Sequence, residues 1–155
     1  MLKINIPGRG ELVLSHLVLD YNGTIALDGR IIPGIAARLE ALKDDLAIWV
    51  ITADTHGTAA RHCEGLPLTV LTHPTTEVGA IKADLVRSLS GGVVTIGNGF
   101  NDVAMSEVAD LSLCVLGPEG CCGKLVAACD ILVRSIPDAL DLLLKPDRIR
   151  ATLRT

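Results

Sequence analysis

The sequence predicts an α/β domain: a doubly wound, three-layer α/β/α arrangement around a mainly parallel sheet, opened by an N-terminal β-hairpin. Short continuous apolar runs alternate with segments of helical spacing, and such runs suit strands covered on both faces. Several runs end in glycine, asparagine or aspartate, where the chain must turn. With 155 residues, 49% of them apolar, the chain can bury one core and is too short for two ordinary domains, so 1–155 reads as a single domain.

Taken in order, Leu2, Ile4 and Ile6 alternate with Lys3 and Asn5, and Pro7-Gly8-Arg9-Gly10 breaks the chain before Leu12, Val13 and Leu14. This reads as a hairpin extension over 1–15, an ornament on the edge of the main sheet. The buried-strand runs follow at 17–19, 46–51, 68–71, 93–96, 111–116 and 131–133. Helical spacing appears between them at 34–43, 57–64, 77–89, 101–108, 121–128 and 137–144. Strand and helix alternate, which predicts right-handed crossovers and ligands at the carboxyl ends of the strands. The tips to inspect are therefore 20–24, 52–55, 72–74, 97–102 and 117–120. There is no internal repeat and no low-complexity linker, and 145–155 reads as a loosely held C-terminal tail.

A net charge of -4, with lysines and arginines scattered rather than clustered, offers no stripe for a phosphate backbone, so no nucleic-acid partner is expected. No apolar run approaches the ~20 residues that span a bilayer, and 1–10 lacks the pattern of a signal peptide. The expectation is a cytoplasmic protein without a membrane partner. Five cysteines, Cys63, Cys114, Cys121, Cys122 and Cys129, make an odd count without a C-x-x-C pair. Neither a disulfide framework nor a zinc knuckle fits, and buried free thiols are the simplest reading. The four histidines, His16, His56, His62 and His73, show no metal-ligand spacing, although His56 and His73 sit where they could line the mouth of a site.

The first main strand ends in Asp20-Tyr21-Asn22-Gly23-Thr24, a carboxylate at a strand tip followed by a glycine turn. The second ends in Thr52-Ala53-Asp54, and the fourth in Gly97-Asn98-Gly99-Phe100-Asn101-Asp102, with Lys82 in the helix before it. Each piece alone has a bland reading. Asn-Gly is a common turn, Thr52 can cap a helix, and a lysine on an amphipathic helix is ordinarily solvated. The glycines at 97 and 99 also suggest a dinucleotide loop, but Asp102 stands where its third glycine would be and would repel a pyrophosphate.

Together and in this order, the four pieces resemble the motifs of the haloacid-dehalogenase-like hydrolase superfamily. Within it they are most similar to the phosphorylation domain of P-type ATPases and its small soluble relatives. The resemblance implies a Rossmann-like core and a phosphatase in which Asp20 attacks a phosphoryl group to form an aspartyl-phosphate. It implies magnesium held by Asp20, the Asn22 carbonyl, Asn98 and Asp102. Thr52 and Ala53 would bind the phosphoryl oxygens, Lys82 would neutralise charge on Asp20 and the phosphoryl group, and Asn101 would hold the loop or the phosphate. Phosphoryl transfer needs an in-line nucleophile and cations around the transferring oxygens, which accounts for these residue types.

Two positions depart from the pattern. Asn22 stands where the superfamily's phosphatases usually carry a second aspartate as general acid and base, help worth about 100-fold to 10,000-fold. Asn98 likewise replaces an acidic residue, leaving fewer negative ligands for magnesium. The expectation is a slow phosphohydrolase acting on phosphate esters or acyl phosphates, with a small-molecule or macromolecular substrate. The alternative is a non-catalytic phosphate-sensing or partner-binding module, and a third reading is redox or metal handling by Cys114, Cys121, Cys122 and Cys129. The 25–50 segment has room for one helix and one strand and no cap domain, so a homo-oligomer could be what covers the site.

Overall fold

The computed structural model describes residues 1–54, 58–73 and 77–155. The central sheet has seven strands. β1 (Leu2–Ile6) pairs antiparallel with β2 (Gly10–Asp20), and β2 then lies parallel to β5 (Ala47–Thr52) and β7 (Gly92–Gly97). β6 (Thr69–Thr72) flanks β5, while β8 (Leu111–Val115) and β9 (Ile131–Val133) continue beyond β7. The order β6-β5-β2-β7-β8-β9 means that the chain builds outward on one side of β2 and then crosses to the other. β2 is thus the switch strand, and its carboxyl end opens into the crevice where such sheets bind ligands.

Helices α1 (Ile35–Leu42), α2 (Thr58–His62), α6 (Ile136–Leu144) and α7 (Pro146–Leu153) contribute to the larger core on one face. On the other face, α3 (Val78–Ser88) and α4 (Val103–Val108) pack Val86 and Met105 against Val18, Ile51 and Val93. The short α5 (Gly123–Ala128) follows β8. Alternation along β2 sends Leu17 and Leu19 to the first face and Val18 to the second, all fully buried, so an uninterrupted apolar run is what a two-sided strand requires. Arg38 Nε donates to Asp141 Oδ1 at 2.7 Å and fastens α1 to α6. The α/β class and the mainly parallel sheet agree with the sequence expectation.

Three local expectations are corrected. The hairpin is no edge ornament: its second arm runs on without a break as the central strand, eleven residues long. A bulge absorbs Ser15 within this strand, since Leu14 pairs with Gly92 and His16 with Val93. His16 accepts from Trp49 Nε1 at 3.3 Å, and its other ring nitrogen lies 3.1 Å from the Ser90 carbonyl. The 25–50 segment holds more than one helix and one strand. A small ribbon, β3 (Ala26–Leu27) with β4 (Arg30–Ile31), turns through Asp28 at φ 50° and Gly29 at φ 74°, the paired positive angles that an Asp-Gly hairpin favours.

The 145–155 segment is not loosely held. Pro146 starts α7, fully buried Ile149 joins the main core, and the Thr155 N–H donates to the Pro7 carbonyl at 3.2 Å. Ile149→Ala should therefore lower the unfolding free energy by about 2–4 kcal/mol in urea titration, as a core truncation does. A change below about 0.5 kcal/mol would mean that α7 is not packed as described.

Candidate active site

The switch strand ends in Asp20, which is only 5% exposed. Lys82 on α3 is fully buried and donates from Nζ to Asp20 Oδ1 at 2.5 Å and to Asp102 Oδ1 at 2.6 Å. The second oxygen of Asp102 accepts from the backbone N–H groups of Asn98 at 3.0 Å and Gly99 at 2.9 Å. Asp102 thereby closes the loop after β7 through the turn Phe100–Asp102 and holds Lys82 in place. The second oxygen of Asp20 accepts from Thr24 Oγ1 at 3.2 Å, and the same hydroxyl lies 3.3 Å from Asn98 Oδ1. Asn98 Nδ2 in turn donates to the Gly120 carbonyl at 3.3 Å.

Local chain geometry makes this convergence possible. The Tyr21 carbonyl accepts from the N–H groups of Thr24, Ile25 and Ala26, so the chain winds tightly just after Asp20. Gly23 sits in this turn at φ 77°, and a side chain there would strike Asn98 Nδ2 at 2.3 Å. Only glycine satisfies both the backbone angle and the close approach of the β7 loop.

Burial, and the nearby Asp102 charge, push the Asp20 carboxyl up from its ordinary 3.8 to about 6, against the opposing pull of Lys82. Burial would lower Lys82, but the two carboxylates outweigh it and hold its ammonium above the usual range. Both directions follow from one imbalance: two buried carboxylates share a single cation. Because Asp20 loses its proton at a higher pH folded than unfolded, the site costs stability as pH rises from about 4 to about 6 and keeps that cost above it. A divalent cation would relieve it. Among the described residues no hydrogen bond to the Asn22 carbonyl is recorded, and a carboxylate, a backbone carbonyl and an amide oxygen such as those of Asp20, Asn22 and Asn98 are donor types that magnesium takes.

Other expected site residues fall in varied places. Thr52 is buried at the tip of β5, the strand beside β2, and Ala53 follows it exposed. Asn22 is exposed, so its side chain does not join the buried triad. Asn101 is half-buried, and its backbone packs beside Gly79 at the start of α3. Asp102 is fully buried, with Oδ1 accepting from Lys82 and Oδ2 from the N–H groups of Asn98 and Gly99. His62 Nδ1 lies 3.0 Å from the Tyr21 hydroxyl, and among the described residues no group of three or more His, Cys, Asp or Glu side chains could hold a metal. His56, Thr55 and Pro74 lie outside the described residues.

Sequence reading missed Thr24 as a site residue and took the bland reading of Lys82 as a real alternative. Val78, Lys82 and Val86 share one buried stripe of α3 at spacing of four, and a lysine in the middle of an apolar stripe was the available signal. Beside Gly23 and Thr24, a cavity of about 630 Å³ opens between the β3–β4 ribbon and the loops after β8 and β9. Leu27, Ile31, Val115 and Ile136 wall it, with Arg30 on its lining.

No family model matches the chain. Two uncharacterized proteins of Methanocaldococcus jannaschii are similar in sequence. One is 48% identical over 62 residues, 40% of this chain and 67% of the relative; the other is 49% identical over 39 residues, 25% of this chain and 89% of the relative. The chain belongs to their family. The 3-deoxy-D-manno-octulosonate 8-phosphate phosphatase of Moraxella catarrhalis, solved with magnesium, phosphate and the sugar acid, superposes with TM-score 0.71 at 17% identity, covering 91% of this chain and 94% of that one. The cobalt-bound form of the Haemophilus influenzae phosphatase superposes with TM-score 0.70 at 13% identity, over 92% and 94%. A haloacid-dehalogenase-like family hydrolase of Streptococcus pneumoniae gives 0.63 at 12%, over 83% and 98%. The chain has the haloacid-dehalogenase-like fold.

Lys82→Met keeps most of the side-chain volume and strands two buried carboxylates. It should cost about 3–5 kcal/mol in urea unfolding followed by Trp49 fluorescence, and adding Asp102→Asn should recover part of that loss. A cost within about 1 kcal/mol would show that Lys82 is solvated after all.

Proposed function

We propose that the chain is a magnesium-dependent phosphohydrolase that works through an aspartyl-phosphate on Asp20. The observation that carries this reading is the wholly buried Lys82 between Asp20 and Asp102 at the switch-strand tip. The buried lysine offsets one of the two carboxylates at the strand tip, and a phosphoryl group arriving there brings further negative charge that Lys82 and a divalent cation would meet together.

Lys82 holds one oxygen of Asp20, leaving Oδ2 to attack phosphorus in line with the departing oxygen. The Thr24 hydroxyl has a single proton and two acceptors at nearly equal distance, so it can turn from Oδ2 to Asn98 as the new bond forms. Thr52 and the Ala53 N–H would receive the phosphoryl oxygens at the neighbouring tip. Magnesium, held by Asp20, the Asn22 carbonyl and Asn98, would supply charge stabilisation at the transferring oxygens. Water then attacks the acyl phosphate, breaks its P–O bond and restores Asp20.

The leaving oxygen needs a proton that the Asn22 amide cannot give. Acyl phosphates and esters of acidic alcohols leave without it, so they are the substrates that fit, and the apolar cavity beside Thr24 would hold the non-phosphate part. The resemblance to P-type ATPase phosphorylation domains rests on 20–24 together with the loop 97–102. The amides at Asn22 and Asn98 favour one second reading, a phosphate-binding module with little turnover.

Hydrolysis of p-nitrophenyl phosphate and acetyl phosphate, with and without magnesium, tests the proposal. Magnesium-dependent release should fall at least about 100-fold in Asp20→Asn and rise about 100-fold or more in Asn22→Asp, whose carboxylate can take the proton of the water that hydrolyses the acyl phosphate. No release from either the unaltered protein or Asn22→Asp overturns it in favour of the binding module.

A further inference from the structure

The loop that supports Asn98 carries sulfur chemistry that phosphoryl transfer does not use. Cys114 lies on β8 beside Gly97, the residue before Asn98. Cys129 caps the carboxyl end of α5. Both are free thiols, and their Sγ atoms are 2.7 Å apart. A disulfide needs about 2.05 Å, so the sulfur atoms have well under about 1 Å to travel. The two cysteines stand 15 positions apart in the chain. Between them lie both backbone groups that hold Asn98: the Gly120 carbonyl, 3.3 Å from Asn98 Nδ2, and the Cys122 N–H, 2.8 Å from the Asn98 carbonyl.

We propose that Cys114 and Cys129 form a thiol–disulfide modification site whose oxidation pins the 115–128 segment against the Asn98 loop. The oxidant is a small disulfide of the glutathione class. Cys129 is half-buried and reachable, whereas Cys114 is buried. Burial, with the hydrogen bond to Cys129, also holds the Cys114 thiol above its ordinary range, so Cys114 is not the first to react. Cys129 loses its proton to solvent and its thiolate attacks one sulfur of the small disulfide, breaking that S–S bond and expelling the first thiolate. Cys114 then gives up its proton and attacks the Cys129 sulfur, expelling the second. Two electrons pass from the protein thiols to the oxidant, two small thiols are released and one protein disulfide is formed.

Cys121, half-buried and near Cys114, is the competing partner. Cys63 lies in the main core away from this group and serves as an internal control. The inference does not rest on the proposed phosphatase activity, since the bond and its effect are read without substrate.

The full chain is incubated with oxidised glutathione, and remaining thiols are alkylated. Peptides cut at Glu119 and Lys124, which separate the three cysteine regions, are then mapped without reduction. The expected product is lighter by two hydrogens, links Cys114 to Cys129, and leaves Cys63 alkylated. Hydrogen exchange at the Cys122 amide should slow about tenfold in the oxidised protein. Cys121→Ser should react like the unaltered chain, Cys114→Ser should stop at a glutathione adduct on Cys129, and Cys129→Ser should form no such bond. Cys129→Ser carries the comparison should the buried Cys114→Ser not fold. A bond through Cys121 or Cys122, adducts without a bond in the unaltered chain, or a Cys114–Cys129 bond that leaves Cys122 exchange unchanged would overturn the proposal.

Discussion

A buried ammonium shared by two buried carboxylates is the constraint around which this molecule is arranged. Charges taken out of water are tolerated only when each is paired and its remaining hydrogen-bonding capacity is met. Lys82 therefore needs α3 pressed against the tips of β2 and β7 at once, with Asp20 and Asp102 both in reach. Asp102 needs the N–H groups of Asn98 and Gly99, which dictates the tight loop after β7. Asp20 needs Thr24, which dictates the turn that follows β2 and draws Gly23 up against Asn98. Strand order, crossover and loop conformation all serve this one meeting point.

The same constraint prepares the chemistry. The imbalance of one cation and two carboxylates leaves the site with negative charge to spare before any substrate arrives, which a divalent ion would offset. Asp102, with three protein donors on its two oxygens, holds Lys82 and shapes the loop. The fold places a nucleophile and its electrostatic support, while the amide at Asn22 limits which leaving groups they can expel, and a shared fold alone does not determine which reaction results.

How much could be read in advance differs residue by residue. Asp20 stood out because a carboxylate at the end of a fully apolar strand has one physical destination, the carboxyl edge of the sheet. The loop 97–102 stood out by its glycines and terminal aspartate. Lys82 was harder to read, since a lysine on the apolar stripe with Val78 and Val86 can also lay its stem along the surface and carry its ammonium to water. The β1–β2 arm and α7 were misjudged because polar residues at Ser15-His16, and the charged run around Ile149, hide a bulge and a single buried anchor. The Asp28-Gly29 turn was readable from its own chemistry, and the small ribbon it closes was overlooked beside the larger elements.

The sequence by itself determined the α/β class, the order of the main sheet strands and the helices between them, and the strand tips at which chemistry could occur, because these depend on local periodicity and on turn residues. Only the tertiary structure decided which carboxylates touch Lys82, that Asp102 gathers three protein donors, that Thr24 links Asp20 to Asn98, and that Cys114 meets Cys129 across 15 positions of chain. Those are distances between segments far apart in sequence, and such distances are set by how whole elements pack. No local pattern of residues carries that information.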